Sequence, residues 1–508
     1  MRVAFRVDAA PHIGSGHLMR CLTLADSLRL RGCDTHFLCR PGSEAVRSLV
    51  QSGGHHWHDV IPTGESVTES GAPPHAAWLG SSQLADCCAA SSTLDALHPE
   101  WLVVDHYALD HRWERQARPL VGRILVIDDL ADRNHDCDLL LDQNFHIEPE
   151  RRYEGRVSGT CRRLLGPRHA LLRPEFAAAR ARRRRRDGSV ASLLISLGGA
   201  DLHDITALAL DAALRLSPAC TINVVVGADY APRDALSERC ATYDRVRLHV
   251  QTDRMNELVD GADLAIGAAG ASALERLCLG LPTVNLAIAD NQVPGLTSLC
   301  EAGLTLGLTS RDAITVDSLL TLLQSLRLAP AFNAGMAERG AALVDGQGCR
   351  RVANAMLPPI IELRYAGPDD CEDLLIWRND PSVRANSHHS QAIARADHQR
   401  WFDNTLIDPQ RALLVGHDES GAVGVARFDL HEAEAKVSVY LVPVRQGQGL
   451  GAGLLLAATD WIRRHHPRIG KLVAEIMPGN QASIAVFEQA GYVVDHHVYV
   501  ARPGVTPS

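Results

Sequence analysis

The sequence predicts an α/β protein built on doubly wound parallel sheets, and three observations predict it. Short continuous apolar runs such as 3–7, 101–105 and 222–226 are separated by segments with helical apolar spacing, the pattern of strands covered on both faces by crossover helices. Small-residue turns at 13–16, 196–201 and 267–272 follow such runs and open helices, where backbone amides are free to meet an anion. At 508 residues with 46% hydrophobic content, the chain has the length of about three domains and enough apolar residues for a core in each.

Composition excludes several classes. A net charge of −9 argues against nucleic acid as the main partner. Thirteen cysteines are scattered without zinc-ribbon spacing and read as reduced, buried small hydrophobes of a cytoplasmic protein. Asp8 interrupts any leader-like apolar run, and the longest apolar stretch, 450–458, is too short to span a bilayer. No membrane contact is expected, and monomer and dimer both stay open.

Residues 1–180 form the first expected domain. The run 3–7 is a strand; Ile13-Gly14-Ser15-Gly16-His17-Leu18-Met19-Arg20 turns off it, and the segment from Cys21 to Leu28 continues as a helix. Gly14 and Gly16 let the backbone approach a ligand, and His17 at the helix mouth can act as a general base near neutral pH. A third glycine of the dinucleotide fingerprint is missing, and the plain alternative is a tight turn with a capping histidine. Further strands are expected at 35–39, 101–105 and 124–128. Asp8, Asp105 and Asp128-Asp129 then fall at strand ends on the same sheet edge as His17, joined by His106 and Tyr107, where ligands of such sheets bind. Helix capping is the alternative role for these aspartates. His55-His56-Trp57-His58 looks metal-like, but its spacing fits no standard ligand set and it reads as an exposed loop; no metal is expected.

The arginine run 182–186 reads as an exposed connector or solvated helix end. The second expected domain, 181–355, has strands at 190–197, 222–226, 264–266 and 282–286. Gly198 and Gly199 after its first strand, and Gly270 and Ser272 after a later one, make diphosphate cradles. Glu275, one turn into its helix, can accept hydrogen bonds from ribose hydroxyls, and Asp290-Asn291-Gln292 closes a neighbouring loop.

Two consecutive doubly wound domains resemble the B-type glycosyltransferase (GT-B) architecture. Narrower motifs resemble the UDP-sugar hydrolases of pseudaminic acid biosynthesis: Phe5-Arg6-Val7-Asp8-Ala9 with the glycine-histidine turn, Val104-Asp105-His106-Tyr107-Ala108-Leu109-Asp110, Ile127-Asp128-Asp129-Leu130-Ala131-Asp132-Arg133, Asp142-Gln143-Asn144, Leu171-Leu172-Arg173-Pro174-Glu175-Phe176 and the 196–201 turn. The resemblance covers about residues 1–350, with His169 standing where tyrosine is expected. It implies release of UDP from UDP-2,4-diacetamido-2,4,6-trideoxy-β-L-altropyranose. His17 would be the base, and substrate contacts would come from Asp8, Gly14, Gly16, Arg20, Asp105, Tyr107, Gly198, Gly199, Gly270, Ser272, Glu275, Asn291 and Gln292.

A Pro358-Pro359 boundary precedes the third expected domain, 360–508. Strands are expected at 360–365, 412–416, 421–428 and 436–443, with a helix carrying Trp377-Arg378-Asn379. Arg445-Gln446-Gly447-Gln448-Gly449-Leu450-Gly451 then puts bare amides at a helix N-terminus, suited to a pyrophosphate. This loop and the ending Glu475-Ile476-Met477-Pro478-Gly479-Asn480-Gln481-Ala482-Ser483 resemble the GNAT acetyltransferases. The resemblance implies acetyl-CoA as co-substrate, held by Val442, Gln446, Gly447, Gly449, Gly451, Asn480 and Ser483. Glu475 is the candidate base toward an amine. Many members have tyrosine at the position of Phe487 to protonate the leaving thiolate; here water, a nearby tyrosine or no acid at all serves.

The expected whole is two Rossmann-like domains in a GT-B arrangement plus a GNAT domain: a bifunctional enzyme that acetylates a UDP-4-amino-sugar and hydrolyses the product. The alternatives are a glycosyltransferase fused to an acetyltransferase of another amino sugar or a protein N-terminus, and a fusion in which one half only binds.

Overall fold

The computed structural model describes residues 1–495 apart from 11–12, 64–70, 199–200, 202, 218, 358, 388–390, 419 and 478. The chain divides into two compact units, Met1–Ala353 and Asn354–Ser508.

The first unit holds two parallel sheets. One is made of β1 (Arg2–Val7), β2 (Asp34–Cys39), β3 (His56–Asp59), β4 (Trp101–Asp105), β5 (Arg123–Ile127), β6 (Leu139–Asp142) and β7 (Arg162–Leu165), in the order β3-β2-β1-β4-β5-β6-β7. The other is made of β8 (Ser192–Ser196), β9 (Thr221–Val226), β10 (Val246–Val250), β11 (Leu264–Ala268), β12 (Thr283–Leu286) and β13 (Leu306–Leu308), in the order β10-β9-β8-β11-β12-β13. The central strands are mostly apolar because helices cover both faces: Val3, Ala4, Phe5, Leu102, Val103, Leu125 and Val126 are all buried. Strand order reverses between β1 and β4 and again between β8 and β11. A doubly wound sheet opens a crevice beyond its carboxyl ends at such a reversal. Val7 pairs with Asp105 across the first one, so the turns that follow β1 and β4 meet there.

The second unit has one mixed sheet, β14 (Glu362–Tyr365), β15 (Arg411–Asp418), β16 (Gly421–His431), β17 (Glu434–Leu441) and β18 (Lys471–Val473), in sequential order. All neighbours are antiparallel except β17 and β18, which run parallel and pair only over Glu434–Lys436 with Lys471–Val473. Beyond Lys436 the two strands part.

Two expectations are corrected. The 55–58 segment is not an exposed loop: His56–Asp59 is the edge strand β3, and His55 is buried. The arginine run is exposed at Arg182, Arg184 and Arg185, as expected, but not at its last member. Arg186 is buried and donates to the carbonyls of Val259, Asp260, Ala262 and Leu279, while Arg184 donates to those of Asp260, Gly261 and Ala262. These carbonyls end the helices Met255–Gly261 and Ser272–Cys278, which leave C-terminal acceptors unsatisfied. Short strands β3, β6, β7, β10 and β13 went unanticipated; β3 and β7 carry too many polar residues to read as buried runs. All thirteen cysteines are free, and Cys137 and Cys161 lie with their Sγ atoms 3.6 Å apart, too far for a disulfide. Among the described residues, no helix is long and apolar enough to cross a membrane.

Candidate active sites

At the β1/β4 reversal, Gly14 takes φ +81°, a left-handed conformation that admits glycine without strain. The helix Gly16–Arg29 starts two residues later and brings His17 and Arg20 onto one side, three residues apart. Both reach Asp105 at the end of β4. His17 Nδ1 lies 2.6 Å from Asp105 Oδ1, and Arg20 donates from Nε to Oδ2 at 2.6 Å and from Nη2 to Oδ1 at 2.7 Å. Arg20 Nη2 also lies 3.1 Å from His17 Nδ1. An unprotonated Nδ1 would set its lone pair against the carboxylate at 2.6 Å, so the proton sits on Nδ1 and points at Asp105. Burial pushes the Asp105 carboxyl up, but the Arg20 charge and the hydrogen bonds from Arg20 and His17 outweigh it, holding it well below the usual carboxylate range. The dyad therefore fixes the tautomer that leaves His17 Nε2 as the basic nitrogen.

Aromatic rings wall the site. Tyr107 meets His17 edge-on at 4.5 Å, Trp78 stacks on Tyr107 at 5.3 Å, and His75 touches both Trp78 and Tyr107 at 4.7 and 5.2 Å. His75 and Trp78 were missed by sequence reasoning, since they lie in a turn-rich segment without periodicity. Asn291 Nδ2, from the second sheet's side, reaches the Tyr107 hydroxyl at 3.4 Å.

The structure places two expected substrate contacts, Arg20 and Asp8, in buried ion-pair networks. Arg20 is buried, and its guanidinium is taken by Asp105 and, through Nη1 at 3.0 Å, by Asp129; it clamps the base's partner. Asp8 is buried with both oxygens occupied: Arg6 donates at 2.6 and 3.0 Å, the Arg40 amide at 2.8 Å, and His106 Nε2 lies 3.2 Å away. Arg6 in turn is held by Asp86. Asp8 is thus a buttress beneath the turn.

In the second sheet, Gly198 follows β8 at φ +97°, while Gly199 lies outside the described residues. Gly270 follows β11, and a Cβ there would come within 3.4 Å of Gln292 Nε2, so the Gly270 and Asn291-Gln292 loops face each other. Ser272 accepts from Arg276 at 3.1 Å, and Glu275 lies 3.6 Å from Arg173. Burial pushes the Glu275 carboxyl above its ordinary range against the pull of Arg173 and Arg276.

In the second unit, the parting of β17 and β18 opens a cavity of about 760 Å³. Gln446, Gly447, Gly449, Gly451, Asn480 and Ser483 all line it. Gly447 and Gly449 take φ +69° and +74°, and a Cβ on Gly451 would press on Val486 at 2.9 Å. The helix Leu450–His465 begins at this loop, and Asn480 caps Gln481–Gln489 by accepting from the Ser483 amide at 3.0 Å. Val442 is corrected: its amide donates to Val423 and its carbonyl accepts from Arg445, and it does not line the cavity. Glu475 lines it and pairs with Lys436 at 2.7 Å. Phe487 lines it with its ring edge-on to Tyr492 at 5.0 Å. Tyr440 lines it as well; burial pushes its phenol well above the ordinary value despite Arg378 and Arg427.

Residues 361–493 match the family described as Acetyltransferase (GNAT) domain. An uncharacterized protein of Methanocaldococcus jannaschii is 21% identical over 506 residues, covering 97% of this chain and 96% of its own length. The UDP-2,4-diacetamido-2,4,6-trideoxy-β-L-altropyranose hydrolase of Campylobacter jejuni is 25% identical over 306 residues, 60% of this chain and 97% of that enzyme. Among solved structures, MurG of Acinetobacter baumannii shares the fold at TM-score 0.51 and 16% identity, over 70% of this chain and 99% of that one.

Proposed function

We propose that this chain, a GT-B-like pair of Rossmann-like domains related to a UDP-sugar hydrolase and fused to a GNAT acetyltransferase domain, carries out two consecutive steps on one sugar nucleotide. Residues 360–508 acetylate the 4-amino group of UDP-4-amino-4,6-dideoxy-N-acetyl-β-L-altrosamine with acetyl-CoA. Residues 1–180 and 181–355 then hydrolyse the diacetamido product to UDP and the free sugar. The observation that carries the hydrolytic reading is the His17–Asp105–Arg20 arrangement at the β1/β4 reversal.

In hydrolysis, His17 Nε2 takes a proton from water as its oxygen bonds to the anomeric carbon, and the bond from that carbon to the UDP oxygen breaks with inversion. Asp105 stabilises the imidazolium that forms, and Arg20 keeps Asp105 ionised and in place. UDP leaves as an anion met by amides near Gly198 and Gly270, with Glu275 toward the ribose and Asn291 and Gln292 closing beside it. In acetylation, the amides of Gly447, Gly449 and Gly451 receive the coenzyme A pyrophosphate, with Gln446, Asn480 and Ser483 around it. Glu475 takes the proton of the sugar ammonium, directly or through water. The amine attacks the thioester carbonyl and coenzyme A thiolate leaves. Tyr440 has the proton that Phe487 lacks and supplies it to the thiolate, and the second proton shed by the nitrogen as the amide forms returns to the Tyr440 oxygen through water.

The test is mass spectrometry of the full chain with the UDP-4-amino-sugar, with and without acetyl-CoA, beside His17→Ala and Tyr440→Phe. The expected result is UDP and free diacetamido sugar only when acetyl-CoA is present, a stall of His17→Ala at the acetylated UDP-sugar, and acetylation slowed about 100-fold in Tyr440→Phe. Acetylation without any release of UDP would defeat the hydrolase reading and call for a sugar acceptor. No acetylation at all would remove this amine as the substrate, and an unchanged rate in Tyr440→Phe would remove that residue as the acid.

A further inference from the structure

The strand pair β2/β3 gathers an imidazole and carboxylate cluster away from the sites above. Side chains alternate faces along a strand, so Asp34 and His36 share one face of β2, and His56 and His58 share one face of β3. The register sets His36 beside His56 and Leu38 beside His58. His55, one residue out of phase, turns the other way and meets Thr35 Oγ1 at 2.7 Å.

On the shared face, Asp34 Oδ2 lies 3.0 Å from His36 Nε2, and Asp34 Oδ1 lies 3.1 Å from His56 Nε2. Ligand atoms of Asp34, His36 and His56 all fall within 4.8 Å of one another. The His36 and His56 rings stack at 4.7 Å. His36 is buried, and its Nε2, though close to Asp34, makes no aligned hydrogen bond. Its other nitrogen, Nδ1, lies 3.1 Å from His58 Nε2. If Nδ1 carries the proton and donates to His58, Nε2 presents a lone pair toward the Asp34 carboxylate, an arrangement that only a cation between them makes favourable. A metal-bound histidine ordinarily donates its second nitrogen to such a partner.

We propose that Asp34, His36 and His56 form a site for a zinc-class divalent transition metal, with His58 positioning His36. Two imidazoles and one carboxylate are the donor set such ions take, with a fourth position left for water. β3 is a four-residue edge strand, paired among the described strands with β2 alone. A metal bridging the two strands would bind the folded state alone and so hold this edge in place.

The test uses the full chain without an affinity tag, stripped with chelator and titrated with zinc sulfate while binding and melting temperature are followed. His56 is about 60% exposed on its side chain, so His56→Ala leaves the core intact; Asp34→Asn and His58→Ala complete the set. The expected result is about one equivalent bound with a rise in melting temperature. Binding is lost in His56→Ala and Asp34→Asn, and weakened about 10- to 100-fold in His58→Ala. Cobalt in place of zinc should give a visible band in the wild type that His56→Ala lacks. No binding, or equal binding in the wild type, His56→Ala and Asp34→Asn, would overturn the site.

Discussion

Around His17 the polar atoms are paired and buried: Asp105 holds His17 and Arg20, Arg20 holds Asp129, and beneath them Asp8 and Asp86 enclose Arg6. The cavity between β17 and β18 is made the other way, from a loop of glycines, a capping asparagine and apolar walls. The first site is preorganised by charge on charge in a low-dielectric interior, where each group depends on its neighbours. The second is preorganised by backbone conformation. The two should therefore break in different ways: the first through single charged side chains and pH, the second through Cβ atoms and loop strain.

The largest difference is expected from Asp105→Asn. The amide preserves shape but removes the carboxylate that fixes the His17 tautomer, and it leaves Arg20 with Asp129 alone. Hydrolysis should fall about 10⁴-fold, while acetyl transfer by the same chain stays within a factor of about two, because Asp105 belongs to the other compact unit and takes no part in lining the second unit's cavity. Steady-state rates of UDP release and of coenzyme A release, measured on one preparation, check this. A comparable fall in both rates would mean that the second unit relies on the same buried network.

A smaller but still large effect concerns pH. Buried His135 sits between Glu114, 2.7 Å from Nδ1, and Asp128, 3.8 Å from Nε2. Burial pushes its pKa down, but the two carboxylates outweigh burial and lift it from 6.5 to about 9. The folded state thus keeps a proton that the unfolded chain loses. The stabilisation is complete below pH 6.5 and disappears as pH rises through about 9, a loss of about 3 kcal/mol. Asp142 acts in the same direction over a lower window: burial and the Asp129 charge raise it from 3.8 to about 7, so its share falls between those values. Hydrogen exchange of the β4 and β5 amides should speed up between pH 7 and 9 beyond the intrinsic rate, and His135→Gln should flatten that dependence. An equal acceleration in β15 and β16, whose core is apolar, would erase the contrast between the units.

This contrast also explains what could be read in the sequence. The central strands β1, β4, β8, β9 and β11 are predominantly apolar runs, and the turns after β1 and β8 carry glycines with positive φ; both signals are local. The roles of Arg20 and Asp8 are not local. Each is a polar residue at a strand or helix end facing a crevice, which is where a substrate contact also belongs, and only the partners brought by β4, β5 and the 83–97 helix show that their hydrogen-bonding capacity is filled. His75 and Trp78 were invisible for the same reason. Arg186 misled because charge along a sequence reads as solvation, whereas its guanidinium satisfies helix-end carbonyls more than seventy residues away.

The smallest expected effect separates the two glycine loops themselves. Gly449 at φ +74° begins the Leu450–His465 helix, and a Cβ there would come within 3.3 Å of Asn354. Gly198 at φ +97° has nothing within 4 Å of its Cβ position among the described residues. A left-handed conformation costs a non-glycine residue roughly 1–2 kcal/mol, so alanine strains both loops, but only at Gly449 does contact add to conformation. Gly449→Ala should raise the KM for acetyl-CoA about tenfold with kcat little changed, because the amides that receive the pyrophosphate shift before chemistry begins. Gly198→Ala should raise the KM of hydrolysis by less, about three- to fivefold, since conformational strain alone is added among the described residues. Initial-rate kinetics of both half-reactions on the two variants give the comparison directly. If Gly198→Ala were the more damaging, the loop after β8 would be held by its ligand more tightly than conformational strain alone implies, and the second Rossmann-like sheet would resemble the glycine cradle of the acetyltransferase more than the charged site of its own unit.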